Sequence, residues 1–241
     1  ALRGFAVMGI LAMNITAFSM PEMAYLDPAI YGGDRGANLA SWFFSYIFVD
    51  GKMRGIFSLL FGASMMLVIE RAQAAGNNAG KTHYMRMLWL ALFGLTHYFF
   101  IWFGDILFLY ATIGSIAFAF RKWEPARLIR SAIAIHIAGS LIFSAVFGGI
   151  LYLRHEAQSA EASPEIIAQY EQFENAAPFT AKGVEKEISI YRGSYAEIVN
   201  YRLTEKTNGP VTQFLMVFTE TLPLMMIGMA LLNNGFLLGL W

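Results

Sequence analysis

Six times along this chain an apolar run approaches or reaches the roughly 20 residues that a helix needs to cross hydrocarbon. The runs are Phe5–Met20, Met53–Ile69, Tyr84–Phe103, Ile106–Phe120, Leu128–Leu153 and Val211–Leu232. A seventh begins at Gly235 and reaches Trp241. Both chain ends read as the edges of a larger protein. Two runs are short, and tilt or neighbouring helices must accommodate them. A water-soluble domain needs a polar skin, and this chain has little material for one. Apolar residues make up 57% and charged residues 14%, against roughly 25% charged in a typical soluble domain. Mean hydropathy is +0.50. The expected fold is all-α: a polytopic transmembrane helical bundle of about six spans plus the start of a seventh, with one long amphipathic extramembrane loop.

Leu39–Val49 is apolar and aromatic but too short to span, and Asp50, Gly51, Lys52 and Arg54 follow it. It reads as an interfacial or re-entrant helix leading into the second span. Three units result. Residues 1–153 form an N-terminal bundle of five spans and the interfacial helix. Residues 154–210 form an extracytoplasmic helical loop. Residues 211–241 hold the sixth span and the beginning of a seventh.

Lysine and arginine in short loops set orientation. Arg71, Lys81 and Arg86 flank one loop, Arg121, Lys122, Arg127 and Arg130 another, and Arg3 precedes the first run. If six helices alternate, these all fall on one side, which places the N-terminus in the cytoplasm. The opposite side receives Glu22, Asp27, Asp34 and Arg35, together with the long segment from Arg154 to Pro210. Within that segment, Pro164–Phe173 and Val184–Leu203 carry apolar residues at helical spacing, Ile188, Tyr191, Tyr195, Ile198, Val199 and Tyr201 among them. Two amphipathic helices are expected there, packed as a cap on the bundle or lying in the headgroup layer.

Formal net charge is zero, so no basic field points to nucleic acid. With no cysteine in the chain, disulfides, thiolate metal sites and cysteine nucleophiles are excluded. No phosphate loop, serine elbow or HExxH motif occurs. No metal site and no tightly bound cofactor are expected.

Ionisable side chains at membrane depth cost roughly 2.5–3.5 kcal/mol on insertion scales, so each requires a reason. His97 lies about two turns below the outer surface, and Asp105 sits at the rim beyond a tight turn at Gly104. Asp50, Lys52 and Arg54 enter the second helix at that level. Such a group can supply a general base oriented by a carboxylate, with cations for an anionic substrate group. The same residues also read as helix-end charges pairing at the headgroup level. Asn14 stands eleven residues after Arg3 on one helix face, and can serve a substrate or simply bond a neighbouring helix. Glu220 falls in mid-span and needs a partner such as Lys52, Arg54 or a histidine. His136 reads as an interhelical hydrogen bond, and His83 and His155 as solvated loop residues.

Several motifs in fixed order resemble a known family. They are Arg3-Gly4-Phe5-Ala6-Val7-Met8-Gly9-Ile10 with Asn14-Ile15, then Phe57-Ser58-Leu59-Leu60-Phe61-Gly62-Ala63. Arg86-Met87-Leu88-Trp89-Leu90 follows, leading into Gly94-Leu95-Thr96-His97, then Gly104-Asp105-Ile106-Leu107 and Tyr110. Together they resemble the YeiB-like bacterial inner-membrane proteins, the family built on domain of unknown function 418. That resemblance implies a multi-pass protein of the bacterial inner membrane with further helices beyond Trp241. The family is distantly similar to membrane-bound acyltransferases that modify sugars across a membrane. Those enzymes carry an arginine and a histidine eleven residues apart in their first helix. Here Arg3 matches the arginine, but Asn14 replaces the histidine and cannot act as a base near neutral pH. The lysosomal glucosaminide acetyltransferase group is similar in its first helix and also leaves that place unused.

Three functions stay open at this point. In the first, an acyl group passes from a cytoplasmic thioester donor, acyl-coenzyme A, to an extracytoplasmic small-molecule, glycan or lipid acceptor. His97 is then the base and Asp105 its orienting group. Arg3, Asn14, Lys52, Arg54 and Glu220 bind substrates. In the second, polar groups at several depths line a transport or export path. In the third, the outer loop docks a partner protein without catalysis.

Overall fold

The computed structural model describes residues 2–159, 161–176 and 181–239. Among them every regular element is helical. α1 is Leu2–Ser19, α2 Gly36–Phe44, α3 Lys52–Ala74, α4 Ala79–Thr96 and α5 Leu107–Ala117. α6 is Pro125–Ala157, α7 Pro164–Ala176, α8 Ala181–Tyr191, α9 Tyr195–Thr204 and α10 Gly209–Asn233. α2 and α4 each end in a widened π turn, Ser45–Val49 and His97–Ile101.

Local chemistry sets the boundaries. Pro125 at the first position of α6 has the fixed φ of a helix start and no N–H to leave unpaired. Asn78 accepts from the Lys81 N–H at 2.9 Å and caps α4. Ser194 and Glu197 form a reciprocal capping box at α9. The apolar stretch starting at Gly36 breaks at Asp50–Gly51 before α3, where a re-entrant or interfacial helix was expected to end. The expected helix over Val184–Leu203 divides in two. Gly193 and the Ser194 cap interrupt it, so α8 and α9 fold against each other.

Among the described residues, four stretches are long and apolar enough to cross a membrane: α1, the broken Gly36–Ala74 run, α6 and α10. The expected count of six is therefore not met by length and hydropathy alone. α4 has the length but carries Lys81, His83 and Arg86 in its first turns. α5 with its tail, Leu107–Phe120, is apolar but short. α6 buries almost nothing of its most apolar stretch. Leu141 is 66% exposed, and Ile137, Ile142, Phe147 and Leu151 are also open. A face this oily is stable when hydrocarbon or another apolar helix covers it.

α3 and α10 form the centre, run parallel and are flanked by α5 and α6. The core is Met65, Met66, Ile69, Tyr110, Ile113, Leu128, Met225, Met226 and Met229, all buried. Of the expected seventh span, Gly235 turns the chain and Phe236–Leu238 makes one tight turn; Leu240 and Trp241 lie outside the described residues.

Pro223 stands inside α10. It has no N–H to donate to the carbonyl four residues back, which is Thr219. His136 on α6 fills that place, with Nδ1 3.3 Å from the Thr219 oxygen. This is the interhelical bond expected of His136, and the proline explains why that carbonyl is open. Replacing His136 with Phe is expected to destabilise the bundle by about 0.6–2 kcal/mol, whereas in a Pro223→Ala background the same change is expected to cost far less. A double-mutant cycle on thermal unfolding in detergent measures this, and equal costs in both backgrounds would reject the coupling.

Candidate functional site

The turn after α1, the break before α3, the end of α4, the start of α5 and the α8–α9 pair gather at one end of the bundle. Side chains stitch them together. The Glu22 N–H donates to Glu187 Oε1 at 3.0 Å, Tyr98 Oη to the Lys206 carbonyl at 3.0 Å, and Tyr195 Oη to the Phe100 carbonyl at 2.8 Å. The basic segments at Arg71–Arg86 and Arg121–Arg130 close the opposite end.

His97 is the first residue of the π turn that closes α4, and Asp105 lies just before α5. Their side chains meet, with His97 Nδ1 3.0 Å from Asp105 Oδ1. Asp105 is 2% exposed, and its second oxygen accepts the Phe108 N–H at 2.9 Å. The carboxylate is thus fixed by the start of α5 and in turn fixes the imidazole. Gly94 allows this, because a Cβ there would collide with the Phe108 amide and crowd Asp105 Oδ2. His97 is 33% exposed, and among the described residues its Nε2 makes no hydrogen bond. An imidazole held at Nδ1 by a buried carboxylate and open at Nε2 is the arrangement of a general base.

The other expected residues do not converge on His97. Arg54 faces Glu220 in a two-pronged ion pair, Nη2 standing 2.9 and 3.1 Å from the two carboxylate oxygens. This answers which partner the mid-span carboxylate takes, and it leaves Arg54 occupied. Asp50 accepts from Tyr25 Oη at 2.9 Å and from the Gly51 N–H at 2.7 Å. Burial, and then the Asp50 carboxylate, push the Tyr25 phenol above its usual range, so it donates as a neutral group. Deeper along α3, Ser58 Oγ donates to the Arg54 carbonyl and stands 2.6 Å from Tyr110 Oη. Tyr25, Asp50, Arg54, Glu220, Ser58 and Tyr110 thus form a file of polar groups along α3. Lys52 is exposed and Asn14 half-buried, and neither side chain has a hydrogen-bond or ion-pair partner among the described residues.

Two expectations need correction. Arg3 was placed with the basic loops, but its guanidinium lies 5.4 Å from the Phe57 ring, in the second turn of α3. α1 packs with Gly9 against Met53, so Arg3, although exposed, stands at the level of the second turn of α3, about 25 Å short of the far end of α3 at 1.5 Å per residue. His83 is not solvated. It is 2% exposed, its Nε2 lies 3.1 Å from the Gly114 carbonyl, and its ring stacks on Phe118 at 4.7 Å. His155 is exposed, as expected.

Arg202 escaped notice in the sequence. It is 3% exposed and lines a cavity of about 470 Å3 beneath α8 and α9. Its position after Tyr195 and Ile198, at spacings of seven and four, puts a cation on the apolar face of α9. That pattern was the available signal.

Comparison with known proteins gives relatives without an assigned activity. The chain is 36% identical over 146 residues to the uncharacterised protein YxaH of Bacillus subtilis (strain 168), covering 59% of this chain and 36% of that one. It is 32% identical over 152 residues to the uncharacterised protein YeiB of Escherichia coli (strain K12), covering 63% and 36%. An uncharacterised 39.9 kDa protein from the amylase 3′ region of Bacillus acidopullulyticus is 35% identical over 121 residues, covering 50% and 32%. The chain spans about a third of the length of these curated relatives. No family model matches it, and no solved structure matches it.

Proposed function

We propose that this chain belongs to a multi-pass bacterial inner-membrane protein of the YeiB-like family, built on domain of unknown function 418, which transfers an acyl group. The donor is a cytoplasmic thioester, acyl-coenzyme A, and the acceptor is a hydroxyl on an extracytoplasmic sugar or lipid headgroup. The observation that carries this reading is the His97–Asp105 pair with its open Nε2.

The acceptor oxygen attacks the acyl carbon as its proton passes to His97 Nε2. The carbon–sulfur bond then breaks, and the proton leaves with the thiolate. Asp105 keeps the proton of the resting imidazole on Nδ1 and stabilises the imidazolium while it exists. Lys52, exposed at the same end of the bundle, is available to an anionic group on the acceptor. Arg54 and Glu220 satisfy each other and hold α3 to α10. With Arg3 level with the second turn of α3, the basic loops at the opposite end take the anionic donor. This reading uses six crossings. α4 with its π turn and α5 are the third and fourth, the N-terminus is cytoplasmic, and α2 lies at the outer interface.

The test uses full-length protein in proteoliposomes with isotope-labelled acyl-coenzyme A and a membrane extract as acceptor. Label is expected in a glycan or lipid fraction. Label that stays wholly on the donor with every acceptor fraction would overturn the proposal. The polar file along α3 favours export as a second reading. Substrate flux across the vesicle wall without acylation would select it.

A further inference from the structure

Arg202 is a buried cation with no counter-ion. Its Nη1 has no hydrogen-bond partner, and Nε reaches only Tyr191 Oη, at 3.4 Å. No ion pair to Arg202 exists among the described residues, and no aspartate or glutamate falls outside them. Removing a guanidinium from water without a partner carries a penalty of several kcal/mol. Helix α9 tolerates it beside a cavity, and the cavity is the place from which a partner can come.

The cavity walls suit a particular kind of guest. Arg202 and Arg192 line it with one carboxylate, Glu187. Burial pushes the Glu187 carboxyl above its usual range against the pull of the Glu22 N–H, and the nearby Glu22 carboxylate adds to the rise. With two arginines against one carboxylate, the lining leans positive. Trp102, Phe103 and Tyr191 supply flat apolar surface, and the end of α1 forms another side. At about 470 Å3 the space far exceeds a bare ion and falls within the range of organic ligands.

We propose that this cavity binds a phosphate ester, its phosphate against the Arg202 guanidinium and its organic part against Trp102 and Tyr191. A phosphate carries up to two negative charges and accepts from the planar guanidinium fork, which matches a lining with two arginines and one carboxylate. The ester has two sources, the headgroup of an anionic phospholipid or a soluble sugar or glycerol phosphate. The site stands apart from transfer chemistry at His97, although the Trp102 ring lies 6.3 Å from the His97 ring.

The experiment measures thermal unfolding and tryptophan fluorescence of the full-length protein in neutral detergent. Glycerol 1-phosphate is titrated in one arm, phosphatidylglycerol in a second, and phosphate-free diacylglycerol in a third. Saturable stabilisation is expected in at least one phosphate arm and not with diacylglycerol. Response to glycerol 1-phosphate identifies a soluble ligand, and response to phosphatidylglycerol alone identifies a lipid. Arg202→Met is expected to weaken that response at least about tenfold. Without ligand its unfolding midpoint is expected to stay at or above that of the wild type, because an uncompensated buried charge has gone. Ile188→Trp fills the cavity while keeping the arginine, and is expected to lose the response as well. No response in either phosphate arm, or undiminished response in both variants, would overturn the proposal.

Discussion

His97→Ala is expected to lower acyl transfer by about 10²–10⁴-fold, the usual contribution of a positioned general base, while the protein still inserts and unfolds at nearly the wild-type temperature. The side chain is partly open and its one hydrogen bond runs to Asp105, so little packing is lost with it. Asp105→Asn tests the pair from the other side. Asn can still accept the Phe108 N–H with its oxygen, so the start of α5 survives. Its amide then faces the imidazole as a donor, which favours the wrong tautomer. A loss approaching that of His97→Ala is expected. In the double variant the two losses are expected not to multiply, since groups acting as one unit are strongly non-additive. Transfer that persists in His97→Ala, or losses that multiply, would remove the imidazole from the mechanism. Rates and unfolding curves on the same preparations separate damage to the site from damage to the fold.

What local sequence encodes and what it does not can be seen residue by residue. Hydropathy and chain length marked α1, α6 and α10, because a long apolar run has few other uses. The break before α3 was legible in Asp50-Gly51-Lys52, charges that interrupt an oily stretch. Glu220 announced that it needed a cation, and Arg54 provides it. His97 and Asp105 were legible as neighbours because a tight turn between two helices leaves them few places to go. The failures share a cause. The vertical offset of one helix against another is a property of packing, and nothing near Arg3 reports that Gly9 slots against Met53. His83 lies among polar residues in sequence, yet Gly114 of α5 and Phe118 of the turn that follows it cover it. Arg202 escaped notice because overall composition hides which face of α9 it occupies.

The seam between α3 and α10 should be the least forgiving place in the protein. Gly62 faces the Met225 backbone and Gly228 faces the Leu59 backbone; a Cβ at either would run into a main-chain carbonyl. Helices in lipid gain little from burying oil against oil, so close backbone approach through small residues supplies much of their attraction. Backbone cannot rotate aside as a side chain can. Gly228→Ala and Gly62→Ala are therefore each expected to destabilise by about 1–3 kcal/mol, despite the intrinsic preference of helices for alanine. Gly148 and Gly149 on α6 have nothing within 4 Å, and alanine there is expected to be neutral or stabilising by up to about 1 kcal/mol. Opposite signs from one chemical change would locate the close contact, and equal effects at all four positions would deny it. Because Arg54 and Glu220 bridge the same seam, parting the helices also stretches that ion pair. The Gly62→Ala/Gly228→Ala double variant is then expected to lose less than the sum of the two, since a seam already parted by one methyl makes room for the other.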